Sequence, residues 1–234
     1  MKKILILGAS TGIGAALARF FVKNGYDVHG CARREPKNWE NVGAITKIIC
    51  DASDSRDFKT NVLDYFGKEN FPHTIINCIG VGGGELFMSL DHERFTKSIS
   101  ANLITPIYVQ NELVKKASLF GVKLASFMFS SLAVEVVQPG NSIYAGAKSG
   151  MSRLHKGMAA EYQKFGHLFY TLNLSLIEDT PMVRGLPDKF RIEYENRLMY
   201  SAVSVEELSK LIAFLIEYRP ESLSGTEIQV GGTK

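Results

Sequence analysis

Residues 4–21 read ILILGASTGIGAALARFF. Four apolar residues, two of them β-branched, run into a turn with glycines at 8, 12 and 14. Ala15, Ala16, Leu17, Ala18, Phe20 and Phe21 follow on one side of a helical pattern that Asn24-Gly25 stops. The segment therefore predicts a buried strand, a glycine turn and a helix. Such a turn lets backbone approach a pyrophosphate closely, and the helix that follows aims its first amides at the negative charge. A glycine-rich turn alone is a weak signal. The strand before it and the helix after it give it weight.

The rest of the chain repeats this alternation. Further strands are predicted at Asp27–Ala32, Ala44–Cys50, Thr74–Cys78, Leu124–Phe129, Leu168–Leu174 and Glu227–Val230. Helices are predicted at Phe58–Phe66, at Leu90–Phe120 with Asp91 as cap and a bend at Thr105-Pro106, and at Ser142–Phe165. A last helix, Ser204–Tyr218, opens on a capping box formed by Ser204 and Glu207. Strand and helix alternating along the whole chain imply an α/β fold: a single domain over residues 1–234, Rossmann-like, with one doubly wound parallel sheet of about seven strands and helices on both faces. Residues 178–200 break the rhythm. They interleave Met182, Phe190, Tyr194, Met199 and Tyr200 with Arg184, Arg191 and Arg197, and read either as a mobile flap over a pocket or as a surface insertion.

Composition excludes several function classes. The 234 residues carry 45% hydrophobic and 22% charged side chains and a net charge of +3, with no stripe of Lys, Arg and aromatic residues, so no nucleic-acid partner is expected. The apolar run after Lys2-Lys3 is too short for a signal peptide, and no window has the length of a membrane span. Cys31, Cys50 and Cys78 lack metal-ligand spacing and cannot all pair, which points to reduced thiols, a cytoplasmic protein and no metal.

A second constellation lies in FSSLAVEVVQPGNSIYAGAK, residues 129–148. Tyr144 and Lys148 are four apart, on one face of a helix. A free phenol ionises near ~10; an ammonium roughly 4 Å away interacts by ~4 kcal/mol at an effective dielectric near 20, enough to bring the phenol towards neutrality. Ser130 or Ser131, at the end of the apolar run before them, can add a hydrogen bond to a substrate oxygen. Proton transfer at an oxygen is the implied chemistry. In isolation the Tyr–Lys pair would read as an ordinary surface pair; the glycine turn supplies the independent signal.

The end of the second strand bears on cofactor choice. An acidic residue there would hold ribose hydroxyls, whereas an arginine accommodates the extra phosphate of NADP. The chain reads Cys31-Ala32-Arg33-Arg34, so Arg33 is the candidate, with Arg34 and Ser10 as helpers. Three glycines after Gly80, at 82–84, suggest backbone passing close to something, or a flexible loop. Asn102 is a polar amide among Ile99, Leu103 and Ile107.

Together these residues resemble the short-chain dehydrogenase/reductase family over essentially the full length. Gly8, Gly12 and Gly14 match its TGxxxGxG turn, with Leu7 where threonine is usual. Asp51-Ala52 matches its adenine-contacting pair, and Asn77-Cys78-Ile79-Gly80 is a loose version of its NNAG. Asn102, Ser131, Tyr144 and Lys148 fall where its tetrad stands, Ser131 being preferred because it lies thirteen positions before the tyrosine. Ser224-Gly225 and Val230-Gly231-Gly232 resemble its closing segment.

The resemblance implies an NADPH-dependent oxidoreductase, with NADH as the other possible cofactor, that reduces a ketone to a secondary alcohol or runs the reverse. Ser131 would hold the carbonyl oxygen, Tyr144 would donate the proton, Lys148 would bind the nicotinamide ribose and lower the tyrosine pKa, and Asn102 would hold a relay water. The cofactor would lie against Gly8, Ser10, Thr11, Gly12, Ile13, Gly14, Arg33, Arg34, Asp51, Ala52, Asn77, Gly80, Tyr144, Lys148, Ile177 and Thr180. A small carbonyl or alcohol substrate and a homodimer or homotetramer are implied in the same way. Two alternatives are a dinucleotide-binding sensor or scaffold without turnover, which has no need of the tetrad, and a nucleotide-sugar epimerase or dehydratase, which usually carries a longer carboxy-terminal region. One departure is evident: Ser175-Leu176 replaces the family's Pro-Gly after the sixth strand, with Thr180-Pro181-Met182 retained, so the nicotinamide end would be shaped differently.

Overall fold

The computed structural model describes residues 2–34, 44–178, 180–185 and 188–232. Among these residues seven strands, β1 (Lys3–Leu7), β2 (Asp27–Ala32), β3 (Ile45–Ile49), β4 (Thr74–Asn77), β5 (Ala125–Ser131), β6 (Leu168–Leu174) and β7 (Thr226–Val230), form one sheet in the order β3-β2-β1-β4-β5-β6-β7. All six pairings are parallel.

The unbroken apolar run of β1 is explained by burial on both faces. Ile4 and Ile6 point into a core with Leu17, Ala18 and Phe21 of α1 (Gly12–Lys23) and Leu208, Ile212 and Leu215 of α8 (Val205–Tyr218). Leu5 and Leu7 point to the opposite core, with Phe58 of α2 (Ser55–Phe58), Val109 and Leu113 of α4 (Thr105–Phe120), and Met158 of α5 (Ser142–Tyr162). Fully buried Phe21 anchors the first face, with edge-on contacts to Phe20 and Tyr26 at 5.3 and 5.1 Å. Burying such a ring stabilises by about 2–3 kcal/mol.

Helix boundaries follow their caps. Ser204 and Glu207 form the expected capping box on α8, and Asp91 caps α3 (His92–Ile99) by accepting from the Arg94 amide. Two predicted helices are less regular. Phe58–Phe66 is instead one α-turn capped by Asp54, followed by a π-turn at Lys59–Leu63. The long helix is interrupted by a π-turn at Ser100–Ile104, ahead of the expected bend. Pro106 is the physical reason: it has no N–H for the carbonyl four residues back, that of Asn102, so the α-ladder cannot run through this point.

The strand order reverses between β1 and β4, and open α/β sheets bind ligands beyond the carboxyl ends of their strands at such a reversal. The glycine turn after β1 and the Asn77–Gly84 segment after β4 flank this crevice. Among the described residues no helix is long and apolar enough to cross a membrane.

Candidate active site

The glycine turn is held by the amides of Gly8 and Ala9, which both donate to the Cys31 carbonyl at the end of β2, at 2.9 and 3.0 Å. Gly8 has φ +77°, and a Cβ there would lie 3.0 Å from the Cys78 carbonyl oxygen. A Cβ on Gly14 would press well inside contact distance on the Gly8 carbonyl. Both positions require glycine, one for conformation and the other for close approach of helix and turn.

At the N-cap of α1, Thr11 makes no side-chain capping bond and the first turn has no acidic residue, whereas the caps of α2, α3 and α8 are satisfied by Asp54, Asp91 and Ser204. The first amides of α1, from Gly12, Ile13 and Gly14, are therefore not engaged by a cap. Ser10 is half-buried and Thr11 exposed beside them. At the adjoining ends of β2 and β3, Arg33 and Arg34 are exposed. Asp51 accepts from the Ser53 amide at 3.0 Å and hydroxyl at 2.6 Å; these bonds, and to a lesser degree the nearby Arg33 guanidinium, hold its carboxyl below the usual range against the opposing effect of burial. Ala52 is half-buried next to it. A backbone cradle, uncapped helix amides and two guanidinium groups further along the crevice fit an extended ligand with a pyrophosphate at its centre.

A second cluster is built from α5, β5 and the segment after β4. Tyr144 and Lys148 are one turn apart on α5, with the Lys148 Nζ 5.8 Å from the Tyr144 ring centroid. Lys148 is 7% exposed and donates to the Phe129 carbonyl at 2.9 Å. Burial brings its pKa down from 10.5 to about 8, with a smaller opposing contribution from Cys78. Ser130 is buried, its hydroxyl turned onto the Lys148 carbonyl at 3.5 Å. Ser131, on the other face of the strand, is half-buried and caps the short turn Leu132–Val134 through the Ala133 amide at 3.2 Å. Of the two serines, it is Ser131 whose hydroxyl is not committed to α5.

Asn102, fully buried in the π-turn, accepts from the Val81 amide at 3.0 Å and donates to the Ser98 carbonyl at 3.2 Å. Asn77 holds the other side of the same turn by accepting from the Ile79 amide at 3.1 Å. Gly80 lies between them: a Cβ there would be 2.9 Å from the Asn102 Oδ1 and 3.3 Å from the Lys148 Nζ. Three of the predicted residues, Asn102, Gly80 and Lys148, thus meet at one point. Gly83 brings in Tyr144, since a Cβ on it would lie 2.9 Å from the tyrosine Cβ. The sequence showed a glycine run here without showing what it packs on.

The segment after β6 settles without strain. Ser175-Leu176-Ile177 continues alongside the sheet: the Ser175 amide donates to Val230, the Val203 amide to Leu176, and buried Ile177 bridges Val203. Arg219 is the one non-glycine among the described residues with positive φ, so Leu176 has an ordinary backbone conformation. Leucine is accommodated because the chain here pairs in extended form rather than turning as a glycine would allow. Thr180 is 5% exposed and its hydroxyl caps the short helix α6 (Pro181–Arg184) through the Val183 amide at 3.3 Å.

Helix α7 (Asp188–Arg197) follows. Pro181 comes within 3.7 Å of a Cβ placed on Gly12, and Met182 within 3.4 Å of one on Gly82, so α6 lies across the crevice between the two glycine segments. Arg191 pairs with Glu195 at 3.9 Å on the surface of α7. Residues 179, 186 and 187, and the side chains of Phe190 and Tyr194, lie outside the described residues.

Comparison with known proteins gives the family of the chain. A family model described as enoyl-(acyl carrier protein) reductase matches residues 8–232. The 3-oxoacyl-[acyl-carrier-protein] reductase FabG of Chlamydia pneumoniae is 22% identical over 99% of this chain and 96% of its own length. The tropinone reductase homolog At2g29360 of Arabidopsis thaliana is 28% identical over 97% of this chain and 88% of its own. Among solved structures, a 4-hydroxyisoleucine dehydrogenase complexed with NADH superposes with a TM-score of 0.88 at 20% identity, covering 99% of this chain and 98% of that one. With its glycine turn, its parallel sheet and a family match across nearly its whole length, the chain belongs to the short-chain dehydrogenase/reductase family of NAD(P)-dependent oxidoreductases.

Proposed function

We propose that this protein is an NADPH-dependent reductase of a ketone, or in reverse a dehydrogenase of a secondary alcohol, with Tyr144 as general acid and base. The observation that carries the reading is the convergence of Asn102 and Lys148 on Gly80, with Tyr144 one helical turn before the lysine and packed on Gly83. The relatives support the class: two are named reductases or reductase homologs, and one structural relative is a dehydrogenase.

A nicotinamide cofactor would be held by the Gly8–Gly14 turn and the first amides of α1, by Asp51 and Ala52 at the adenine end, by Asn77 and Gly80, by Lys148, and by Ile177 and Thr180 near the flap. Bound there, the cofactor supplies or accepts the hydride. The chain's own residues govern the proton. Ser131 donates a hydrogen bond to the substrate oxygen, and Tyr144 delivers the proton to that oxygen as negative charge develops on it. Lys148, buried beside the tyrosine, stabilises the phenolate that remains. Asn102 stands where the helix is short of donors, because Pro106 offers no N–H, so its backbone carbonyl can hold a water that returns the proton.

NADPH is preferred over NADH in this reading because Arg33 ends β2 where an acidic residue would otherwise read the ribose. Residues 178–200 act as the flap of a single nucleotide-binding domain, with Pro181 and Met182 over the crevice. The substrate is a small carbonyl compound, and the protein works in the cytoplasm as a homodimer or homotetramer.

The test is turnover of NADPH with a panel of linear and cyclic ketones and 3-oxoacyl thioesters, for wild type and Tyr144→Phe. Wild-type turnover that falls by at least roughly 1000-fold in the variant, with NADPH affinity unchanged, supports the reading. Comparable turnover in both proteins would remove Tyr144 as the acid. No wild-type turnover, with cofactor still bound, would favour a dinucleotide-binding scaffold.

A further inference from the structure

One set of buried polar side chains runs inward from Asn77, and its other members are not used by the chemistry above. Asn77 on β4 donates through Nδ2 to the Pro106 carbonyl at 3.0 Å and to Gln110 Oε1 on α4 at 3.4 Å. Gln110 Nε2 donates to the Ser126 hydroxyl on β5 at 2.7 Å. Ser126 Oγ lies 2.8 Å from His155 Nε2 on α5, and His155 Nδ1 lies 2.8 Å from Thr171 Oγ1 on β6. All five side chains are 2% exposed or less. Apolar side chains would fill the same space without desolvation cost, so such a chain needs a reason beyond stability.

Its polarity is determined from the crevice inward. The Pro106 carbonyl can only accept and the Ile79 amide can only donate, so Asn77 must turn Nδ2 to the first and Oδ1 to the second. Gln110 must then accept through Oε1 and donate through Nε2. Ser126, accepting from Gln110, has its own hydrogen to place, and His155 Nε2 is the acceptor within reach. This direction puts the proton of His155 on Nδ1, donated to Thr171, whose own hydroxyl hydrogen ends the chain. With the proton on Nε2, the hydroxyl hydrogen without a partner in the chain would instead be that of Ser126, at its centre, and reversing Gln110 to compensate would set its amide hydrogens against those of Asn77. Burial also brings the His155 pKa down to about 3, so the ring is neutral throughout the working range.

We propose that Gln110 and His155 are positioning residues for the reaction: through this one-way chain they hold Asn77 in place, and so the Ile79–Val81 turn that seats Asn102 and Lys148. Asn77 and Asn102 clamp that turn from its two sides, and Gly80 at its centre touches the end of Lys148. The catalytic meaning of the proposal rests on the function proposed above; the geometry does not.

Two experiments on the full chain decide it. In wild type, nitrogen-15 NMR should show His155 protonated at Nδ1, the less common tautomer for a free imidazole; a proton on Nε2 overturns the proposal whatever the activity. Gln110→Met keeps the length of the side chain and breaks the relay. Val114→Ala, one turn further along α4 in the apolar core, is the control for lost stability. Gln110→Met should lower kcat by about 10- to 100-fold with the ketone turned over best in the panel, shift the pH profile of kcat, and move the Ile79 and Val81 amide resonances. Val114→Ala should lower Tm and leave all three unchanged. Equal kcat and pH profile in the two variants, with wild type active, overturns the positioning role alone. An inactive wild type overturns the function, and the tautomer and amide resonances still decide the geometry. If Gln110→Met does not fold, the wild-type tautomer decides.

Discussion

Gly80→Ala should separate activity from stability. A methyl group at this position would lie 2.9 Å from Asn102 Oδ1 and 3.3 Å from Lys148 Nζ, against an ordinary contact distance of 3.4 Å or more. Gly80 has no left-handed backbone, so alanine adds bulk without conformational strain. Both obstructing atoms are side-chain ends and can retreat. The Asn102 oxygen must move by about 0.5 Å, which stretches its bond to the Val81 amide from 3.0 Å to about 3.5 Å, where little of its strength remains. Losing one buried bond costs about 1–2 kcal/mol, and replacing glycine by alanine returns about 0.4–1 kcal/mol by restricting the unfolded chain. The net loss should be about 1 kcal/mol, visible as a few degrees in Tm. Displacing Asn102 and Lys148 together should lower kcat by about 100-fold. Thermal melting and single-turnover measurement of NADPH oxidation test both halves. A folded variant with kcat within about twofold of wild type would refute the claim that these side chains act from this point, and a variant that fails to fold would refute the steric accounting.

Three further outcomes are expected. Arg33→Asp should move preference from NADPH towards NADH, measured as the ratio of kcat/KM for the two; an unchanged ratio removes Arg33 from cofactor selection. Lys148→Met should abolish turnover and yet stabilise the protein at pH 7. The depression of the Lys148 pKa from 10.5 to about 8 corresponds to roughly 3 kcal/mol. Between about pH 8 and 10.5 the unfolded chain binds the extra proton, so wild-type stability rises with pH through that window and carries the full penalty below it. The stability gained in Lys148→Met should therefore vanish as pH approaches 10.5, and urea unfolding that shows no gain at pH 7 would contradict the burial argument. In Tyr144→Phe, NADPH should still bind with near wild-type affinity while turnover is lost; a matching loss of cofactor affinity would mean that the hydroxyl serves binding rather than proton transfer.

Much of the fold was legible because periodicity and turn chemistry agree. The unbroken apolar run Ile4–Leu7 reads as a buried strand, and all four side chains are buried, two on each face; the capping box at Ser204 and Glu207 marks α8 to the residue. What was not legible arises between segments. Pro106 signals a bend, but the shift into a π-turn at Ser100–Ile104, ahead of it, depends on which carbonyls lose a donor in three dimensions. The glycines at 82–84 announce close approach without naming Tyr144 or Met182 as what approaches. Gln110 and His155 are two polar residues among many in α4 and α5, and nothing in their spacing shows that β5 carries Ser126 between them. Ser175-Leu176 looked like a disturbed turn because a glycine was expected there; pairing with residue 203 removes the need for one.

The most direct test of the account is a titration of the purified protein with NADPH and with NADH, following nicotinamide fluorescence, for wild type and Arg33→Asp. The account predicts saturable binding of both cofactors to wild type, tighter for NADPH, with the order reversed in the variant. Binding of neither cofactor to wild type would contradict it, because the cradle built by Gly8, Gly14 and the uncapped start of α1 would then hold no dinucleotide.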